Sequence, residues 1–138
     1  MKNIILPIVV MTALLFVSGC GGNVNLTGTV TFADDGSPLP KGQICFTTPG
    51  FMARGEIKPD GTYVVGSITE KDGIPPGTYQ VHIINSEKEV GTNREGLTLY
   101  EDVLDPKYTS ANTSELSVVV DAKTKRYDIS VERSKTKK

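Results

Sequence analysis

Pro75-Pro76-Gly77-Thr78-Tyr79-Gln80-Val81-His82-Ile83 is the stretch that decides the fold class. The two prolines fix φ and remove two backbone donors, so the chain breaks and turns before it. The residues after the turn alternate strictly: Tyr79, Val81 and Ile83 share one face, Thr78, Gln80 and His82 the other. A period of two is the signature of a half-buried strand. The same reading extends upstream. Residues 54–58 and 62–65 flank Pro59-Asp60-Gly61, in which proline pre-sets φ, aspartate bonds locally and glycine relieves strain. Residues 43–47 form a further strand. Residues 23–32 alternate with Leu26, Val30 and Phe32 on one face, and end in the turn Asp34-Asp35-Gly36-Ser37-Pro38. Downstream, Leu116-Ser117-Val118-Val119-Val120 and Tyr127-Asp128-Ile129-Ser130-Val131 alternate again. Helical periodicity, internal repeats and low-complexity linkers do not occur after residue 20. Short strands with turn signals between them predict an all-β protein, a single antiparallel β-sandwich.

The connection 85–114 breaks the rhythm. A link this long in a compact domain is functional or disordered. Its polar first part, 87–95, holds Gly91 and Asn93 with almost nothing to bury, and is expected to be mobile. Its second part carries Leu97, Leu99, Tyr100, Val103, Leu104 and Tyr108, and is expected to dock on the sandwich. Tyr100 or Tyr108 would then sit against a sheet edge or face and offer a hydroxyl to a partner. These two tyrosines are the candidate binding residues. Covering a strand edge is the competing role.

The N-terminus stands apart from the fold. Lys2 precedes an almost wholly apolar run, 4–17, interrupted by Pro7 and Thr12. A membrane-spanning helix needs roughly 20 apolar residues, so this run has the length of a signal-peptide core. It ends in Val17-Ser18-Gly19-Cys20, which resembles the bacterial lipobox: small residues that enter the peptidase cleft, then a thiol to carry diacylglycerol. The resemblance implies cleavage after residue 19, a lipidated tether 20–23, a domain 24–133 and a basic tail 134–138. The membrane is then a partner through the lipid anchor, and the protein lies in the cell envelope on the extracytoplasmic side. Gly21, rather than aspartate, favours the outer membrane in a diderm host.

Composition narrows the chemistry. All 16 acidic residues follow Cys20 and Lys2 leaves with the leader, so the mature chain keeps 14 basic residues and a net charge of −2. That balance gives no reason to expect nucleic acid. The basic C-terminal residues, including Arg126, Arg133 and Lys135, are expected to be solvated. With Cys20 lipidated, Cys45 has no partner for an internal disulfide. If Ile44 and Phe46 face the core, Cys45 faces the other way, as a small group buried under a loop or as an exposed thiol. His82 is the only histidine and is expected to point outward, so no two-histidine metal motif and no evident catalytic triad can be built. Asp34-Asp35 and Glu101-Asp102 lack the ligand spacing of a calcium loop. No catalytic residue, metal ligand or cofactor is assigned.

Gly28-Thr29-Val30, the run Pro38-Leu39-Pro40-Lys41-Gly42-Gln43-Ile44, Pro59-Asp60-Gly61-Thr62-Tyr63 and Pro75-Pro76-Gly77-Thr78-Tyr79-Gln80-Val81 together resemble the carboxypeptidase regulatory-like domain. Leu104-Asp105-Pro106-Lys107-Tyr108 is similar to small planctomycete-type lipoproteins carrying it. The resemblance implies a transthyretin-like (prealbumin-like) sandwich of about seven strands, and an envelope module with no assigned reaction. The chain lacks the several histidines and Tyr-Arg-Gly-Ser end of hydroxyisourate hydrolases. Its first strand also lacks the lysine that pilin-type sandwiches use for an isopeptide crosslink. Two roles fit: a non-catalytic binding or scaffolding module that contacts an envelope protein or a polysaccharide, or an accessory domain assisting a separate peptidase or other envelope enzyme.

Replacing Cys20 with serine is expected to abolish fatty-acid labelling and leave a precursor of higher mass. Labelling that persists in Cys20→Ser would remove the lipid anchor from this account.

Overall fold

The computed structural model describes residues 22–66 and 72–135. Seven strands form two facing sheets. One is three-stranded, in the order β4-β1-β9, from β1 (Thr27–Phe32), β4 (Thr62–Val64) and β9 (Ile129–Val131). The other is four-stranded, in the order β3-β2-β5-β8, from β2 (Gly42–Thr48), β3 (Phe51–Ile57), β5 (Gly77–Ile84) and β8 (Leu116–Val120). Each of these strands overlaps a strand expected from the sequence, with β3 beginning three residues earlier than expected, at Phe51. Two further strands, β6 (Glu87–Thr92) and β7 (Thr98–Asp102), pair only with each other. The protein is an all-β sandwich. The pairing of β1 with β9 is parallel, whereas every other pair among these strands is antiparallel. Alternation fixes which side chains face inward but not a strand's direction, so the sequence pattern does not report this pairing.

The core lies between the sheets. Leu26, Val30, Phe32, Tyr63, Val65, Ile129 and Val131 come from one side, and Ile44, Phe46, Tyr79, Val81, Ile83 and Val120 from the other. Phe46 is the aromatic hub. Its ring centroid lies 6.2 Å from Tyr63, 6.3 Å from Tyr127 and 6.4 Å from Tyr79, mostly edge-on or tilted. Such geometries set the positive edge of one ring toward the negative face of another. Each buried tyrosine hydroxyl has a destination. Tyr79 donates to the Pro75 carbonyl at 2.7 Å, which ties the Pro-Pro turn to the strand it launches. Tyr63 donates to the Tyr127 carbonyl. Tyr63 stands opposite Gly28 in the β1–β4 ladder, and a Cβ at residue 28 would lie 2.7 Å from the Tyr63 ring. Glycine at that position is therefore what lets the ring cross β1.

The strand register gives the sandwich two distinct ends. At the entry end, Val24 exchanges backbone hydrogen bonds with Ile74 (2.7 and 2.9 Å), and Thr27 N–H donates to the Lys125 carbonyl. Gly77 stands opposite Val120 there. At the far end, Phe32 N–H donates to the Ser37 carbonyl, Gln43 stands opposite Ile84, and Leu104 bridges Arg133. β1 and β9 both run from entry end to far end, because they are parallel. The seven steps from Arg126 to Arg133 span about 23 Å at the usual strand rise.

Tyr79 is only 2% exposed. Tyr79→Ala is expected to cost about 3–5 kcal/mol in denaturant unfolding. Tyr79→Phe, which loses only the bond to Pro75, should cost about 1 kcal/mol. An unchanged midpoint in Tyr79→Ala would contradict the packing described here.

Candidate functional site at the far end

The lipobox residues Val17, Ser18, Gly19 and Cys20 lie outside the described residues. Among the described residues, no helix is long and apolar enough to cross a membrane.

The connection 85–114 leaves β5 through Asn85 and joins β8 through Glu115. Both adopt left-handed backbone, with φ of 58° and 59°. Asparagine tolerates that region; for glutamate it is uncommon. Ser86 and Ser114 are buried at the two mouths of the connection, and the Ser114 hydroxyl donates to the Val81 carbonyl. The returning end is thus tied to β5, and the leaving end is buried at Ser86.

Between them the structure corrects the sequence reading in two places. Residues 87–95, expected to be mobile, contain strand β6 and most of a built turn. Asn93 makes the turn: its side-chain oxygen accepts from the backbone N–H of Glu95 and of Leu97, both at 2.9 Å. Its own N–H donates to the Leu97 carbonyl at 2.9 Å, and Gly96 closes the turn with φ of 82°. A bulge at Val90-Gly91 shifts the register, and Lys88 faces Glu101 at 3.7 Å across the ladder. The signal is present in the sequence, as Val90-Gly91-Thr92 and Leu97-Thr98-Leu99-Tyr100 flanking Asn93-Arg94-Glu95-Gly96. Polarity masks it.

The second correction concerns docking. Leu97, Leu99 and Tyr100 are not packed on the sandwich; Tyr100 is 60% and Leu97 60% exposed. Docking begins only at Val103. Leu104 is fully buried, Asp105 N–H donates to the Glu132 carbonyl (3.1 Å), and Ser134 N–H donates to the Val103 carbonyl (2.9 Å). Asp105 then caps a one-turn 3-10 helix, Pro106–Thr109, by accepting from Lys107 N–H at 3.0 Å. Tyr108 is the seated tyrosine. It is 5% exposed, and its hydroxyl accepts from Glu132 N–H at 3.3 Å. Residues 103–108 therefore extend the edge beside β9, and the Tyr108 hydroxyl is already engaged. Of the two candidate binding residues, only Tyr100 presents itself to a partner.

The hairpin itself is bare on both faces. Every residue of β6 is exposed, and β7 has one partly covered residue, Glu101. Among the described residues it holds four of the six exposed large apolar groups: Val90, Leu97, Leu99 and Tyr100. In the ladder Leu99 stands opposite Gly91, and Tyr100 opposite Glu89 on the other face. A two-stranded hairpin with no third strand and no packed face is marginally stable in water. Apolar groups gathered in one place on a surface mark contact sites. A cleft of about 540 Å³ lies at the base of the hairpin, lined by Tyr100, Glu101, Asp102, Asp105, Pro106, Ser134 and Lys135.

The remaining sequence candidates are occupied structurally. Asp34 and Asp35 hold Arg133, a residue expected from its place in the basic C-terminus to be solvated. Arg133 Nε donates to Asp34 at 2.8 Å, and its Nη2 donates to Asp35 at 3.0 Å and to the Ser37 hydroxyl at 2.9 Å. The guanidinium lies 3.7 Å above the Phe32 ring. The hydroxyl and N–H of Ser37, assisted by Arg133, bring the Asp35 carboxyl down to about 2. A depressed carboxyl contributes above its unfolded value and loses that contribution as pH falls through about 2, so the clasp keeps its charges in mild acid.

Cys45, 1% exposed, lies on the outward side of β2, in register with Arg54 on β3 and His82 on β5. Burial raises the Cys45 thiol above its ordinary pKa, against the pull of Arg54. His82, expected to be exposed, is half-buried. Desolvation first, then Arg54, lower its pKa, and its buried Nδ1 has no hydrogen-bond partner among the described residues. A protonated thiol beside a neutral imidazole is a poor nucleophile at neutral pH. Among the described residues, no three His, Cys, Asp or Glu side chains converge on a position for a metal ion.

Comparisons with known proteins add one fold-level observation. No family model matches the chain, and no curated protein sequence matches it. A solved structure of BcpA, the major pilin subunit of Bacillus cereus, aligns with 83% of this chain at 12% identity and a TM-score of 0.47. The chain spans 30% of that pilin's length. At that level the likeness carries no argument about function.

Asn93→Ala removes the side-chain oxygen that accepts both the Glu95 and the Leu97 N–H. Hydrogen exchange is expected to show residues 87–102 losing protection while β5 and residues 104–108 keep theirs. Deprotection of β5 in the same variant would show that the hairpin is part of the core.

Proposed function

We propose that this chain is a lipid-anchored, extracytoplasmic module of the cell envelope that presents the hairpin 87–102 to a binding partner and performs no reaction of its own. One observation carries the reading: the hairpin stands at the far end of a rigid sandwich, opposite the end where residue 22 enters, with its apolar side chains unburied. A rigid scaffold that holds a contact element away from its attachment point is a common division of labour between sheets and loops. The lipid anchor rests on the lipobox at residues 17–20. The carboxypeptidase regulatory-like assignment rests on the Gly28, Pro59-Asp60-Gly61 and Pro75-Pro76-Gly77 motifs, which occupy a close approach and two turns of the sandwich. In a diderm host, Gly21 directs the protein to the outer membrane.

The mode of contact follows from the hairpin's chemistry. Among the described residues no further strand pairs with the outer edges of β6 and β7, so an extended segment of an envelope protein can add to either edge through backbone hydrogen bonds. Leu99 on one face and Tyr100 on the other would supply side-chain selectivity, and the carboxylates around Tyr100 would disfavour acidic partners. A protein partner suits this surface better than a polysaccharide, because unpaired edges and aliphatic groups answer to peptide backbone and apolar side chains.

The test uses lipidated protein in detergent-solubilised envelopes. Wild type is expected to retain a specific partner, and a Leu99→Ser/Tyr100→Ser pair is expected to lose it with the melting temperature unchanged within about 2 °C, as for exposed positions away from the core. Equal capture by both would exclude the hairpin as the contact surface.

A further inference from the structure

The entry end of the sandwich has its own surface, and it is unlike the far end. Val24 is locked to Ile74 by two backbone hydrogen bonds and is nearly buried, so the folded domain begins only four residues after Cys20. Four residues reach at most about 14 Å even when fully extended. A domain whose strands run more than about 20 Å from end to end cannot turn freely on so short a lead.

The element beside that lead is the β8–β9 turn. Thr27 N–H donates to the Lys125 carbonyl at 3.1 Å, and Tyr127 N–H donates to the Thr27 carbonyl at 2.9 Å, so residues 121–126 lie against the first strand. An open cleft of about 520 Å³ joins them, lined by Asn23, Asn25, Thr27, Ala122 and Lys125 among others. The charges here sort themselves. The Asp121 carboxylate is turned into its own loop, where it accepts from Lys123 N–H (2.8 Å) and the Thr124 hydroxyl (3.1 Å). Arg126 is taken by Asp128 at 2.8 Å and by the Thr29 hydroxyl at 3.0 Å. Asp72 lies on the same end, its backbone carbonyl accepting from Asn23. Lys123 and Lys125 are exposed, and neither ammonium forms a salt bridge among the described residues. At the far end Lys107 pairs with Glu132 and Arg133 with Asp34 and Asp35, but the hairpin 87–102 carries five carboxylates, Glu87, Glu89, Glu95, Glu101 and Asp102, against the two cations Lys88 and Arg94.

We propose that this end is a membrane-docking surface: Lys123 and Lys125 rest on the anionic phospholipid headgroups of the bilayer that holds the anchor, and set the sandwich end-on with the hairpin outward. The proposal rests on the lipid-anchor reading. Lysines within a Debye length of an anionic surface are drawn to it, while the hairpin, with five carboxylates against two cations, is repelled, so both terms favour one orientation. The short lead removes the alternatives in which the domain lies far from the surface.

The experiment uses the full lipidated protein in vesicles containing about a third phosphatidylserine, with an acceptor dye on the headgroups. A donor dye is placed at Ala122→Cys near the entry end or at Lys41→Cys near the far end, in a Cys45→Ala background. Both sites are exposed. Strong energy transfer from residue 122 and weak transfer from residue 41 are expected, with the difference reduced in Lys123→Glu/Lys125→Glu. If Cys45→Ala disturbs folding, the same labels are placed in the native background, where the buried thiol reacts slowly. Equal transfer from both sites in protein that carries fatty acid and floats with vesicles overturns the docking surface and leaves the anchor standing. Contrast that is unaffected by the charge reversal overturns the role of the two lysines. Protein that neither labels with fatty acid nor floats overturns the anchor, and the docking surface with it.

Discussion

The packing of Phe46 against three tyrosines is the interaction on which the rest of this structure depends. Phe46 comes from the middle of the four-stranded sheet, and Tyr63 and Tyr127 reach it from the other side of the core. Those rings can meet only because residue 28 has no side chain, since any Cβ there would strike the Tyr63 ring. The tyrosine hydroxyls then have to find acceptors inside the protein. Tyr63 finds one at residue 127 and Tyr79 finds one at residue 75, at the two places where the chain must turn into a new strand. Core packing and turn placement are thus one constraint. It also keeps the two ends of the sandwich distinct, because it holds β1 and β9 side by side and pointing the same way.

The strands of the sandwich are legible because each buries one face, and burial on one face writes a period of two into the sequence. Tyr79, Val81 and Ile83 are the clearest case, and all three are core residues. The hairpin is not legible by that rule, because it buries neither face. Its sequence alternates only briefly, at Leu97-Thr98-Leu99, and the Asn93-Arg94-Glu95-Gly96 turn is the clearer signal. Docking of Leu97, Leu99 and Tyr100 is expected only on the premise that apolar groups seek burial within the chain. That premise holds for Leu104 and Tyr108, and it fails for Leu97, Leu99 and Tyr100, which the hairpin carries away from the sandwich. The Arg133 clasp is hidden for a different reason: its partners, Asp34 and Asp35, are nearly a hundred residues away in sequence, and no local pattern reports such a pairing. Alternation places His82 and Cys45 on the correct face. Their burial on that face, and the charge of Arg54 beside Cys45, are set by cross-strand neighbours that periodicity does not see.

These features divide the molecule by task. Titratable groups with shifted pKa values serve the fold: the Arg133 clasp closes the β1–β2 turn, and the Cys45 and His82 side chains sit quiet on the outer face of a sheet. The sheet edges are managed as well. Residues 103–105 continue the edge at β9, and the Tyr127 and Thr124 hydroxyls reach the carbonyls of Ser117 and Val119 on β8. The hairpin receives no such cover. The bare hairpin, with Val90, Leu97, Leu99 and Tyr100 exposed on it, is the element on which the proposed contact rests.

The central claim is that the hairpin is held by the sandwich but does not hold it. Replacing residues 87–102 with a short Gly-Ser turn between Ser86 and Val103 tests this directly, with thermal unfolding followed by far- and near-ultraviolet circular dichroism. The account predicts a single cooperative transition within about 3 °C of the intact domain, a shift that corresponds to about 1 kcal/mol or less in a domain of this size, with the aromatic signal of the Phe46 cluster preserved. A loss of cooperativity, or a fall of about 10 °C or more, which is beyond what a shift of about 1 kcal/mol produces, would show that the hairpin is structural and would contradict the account.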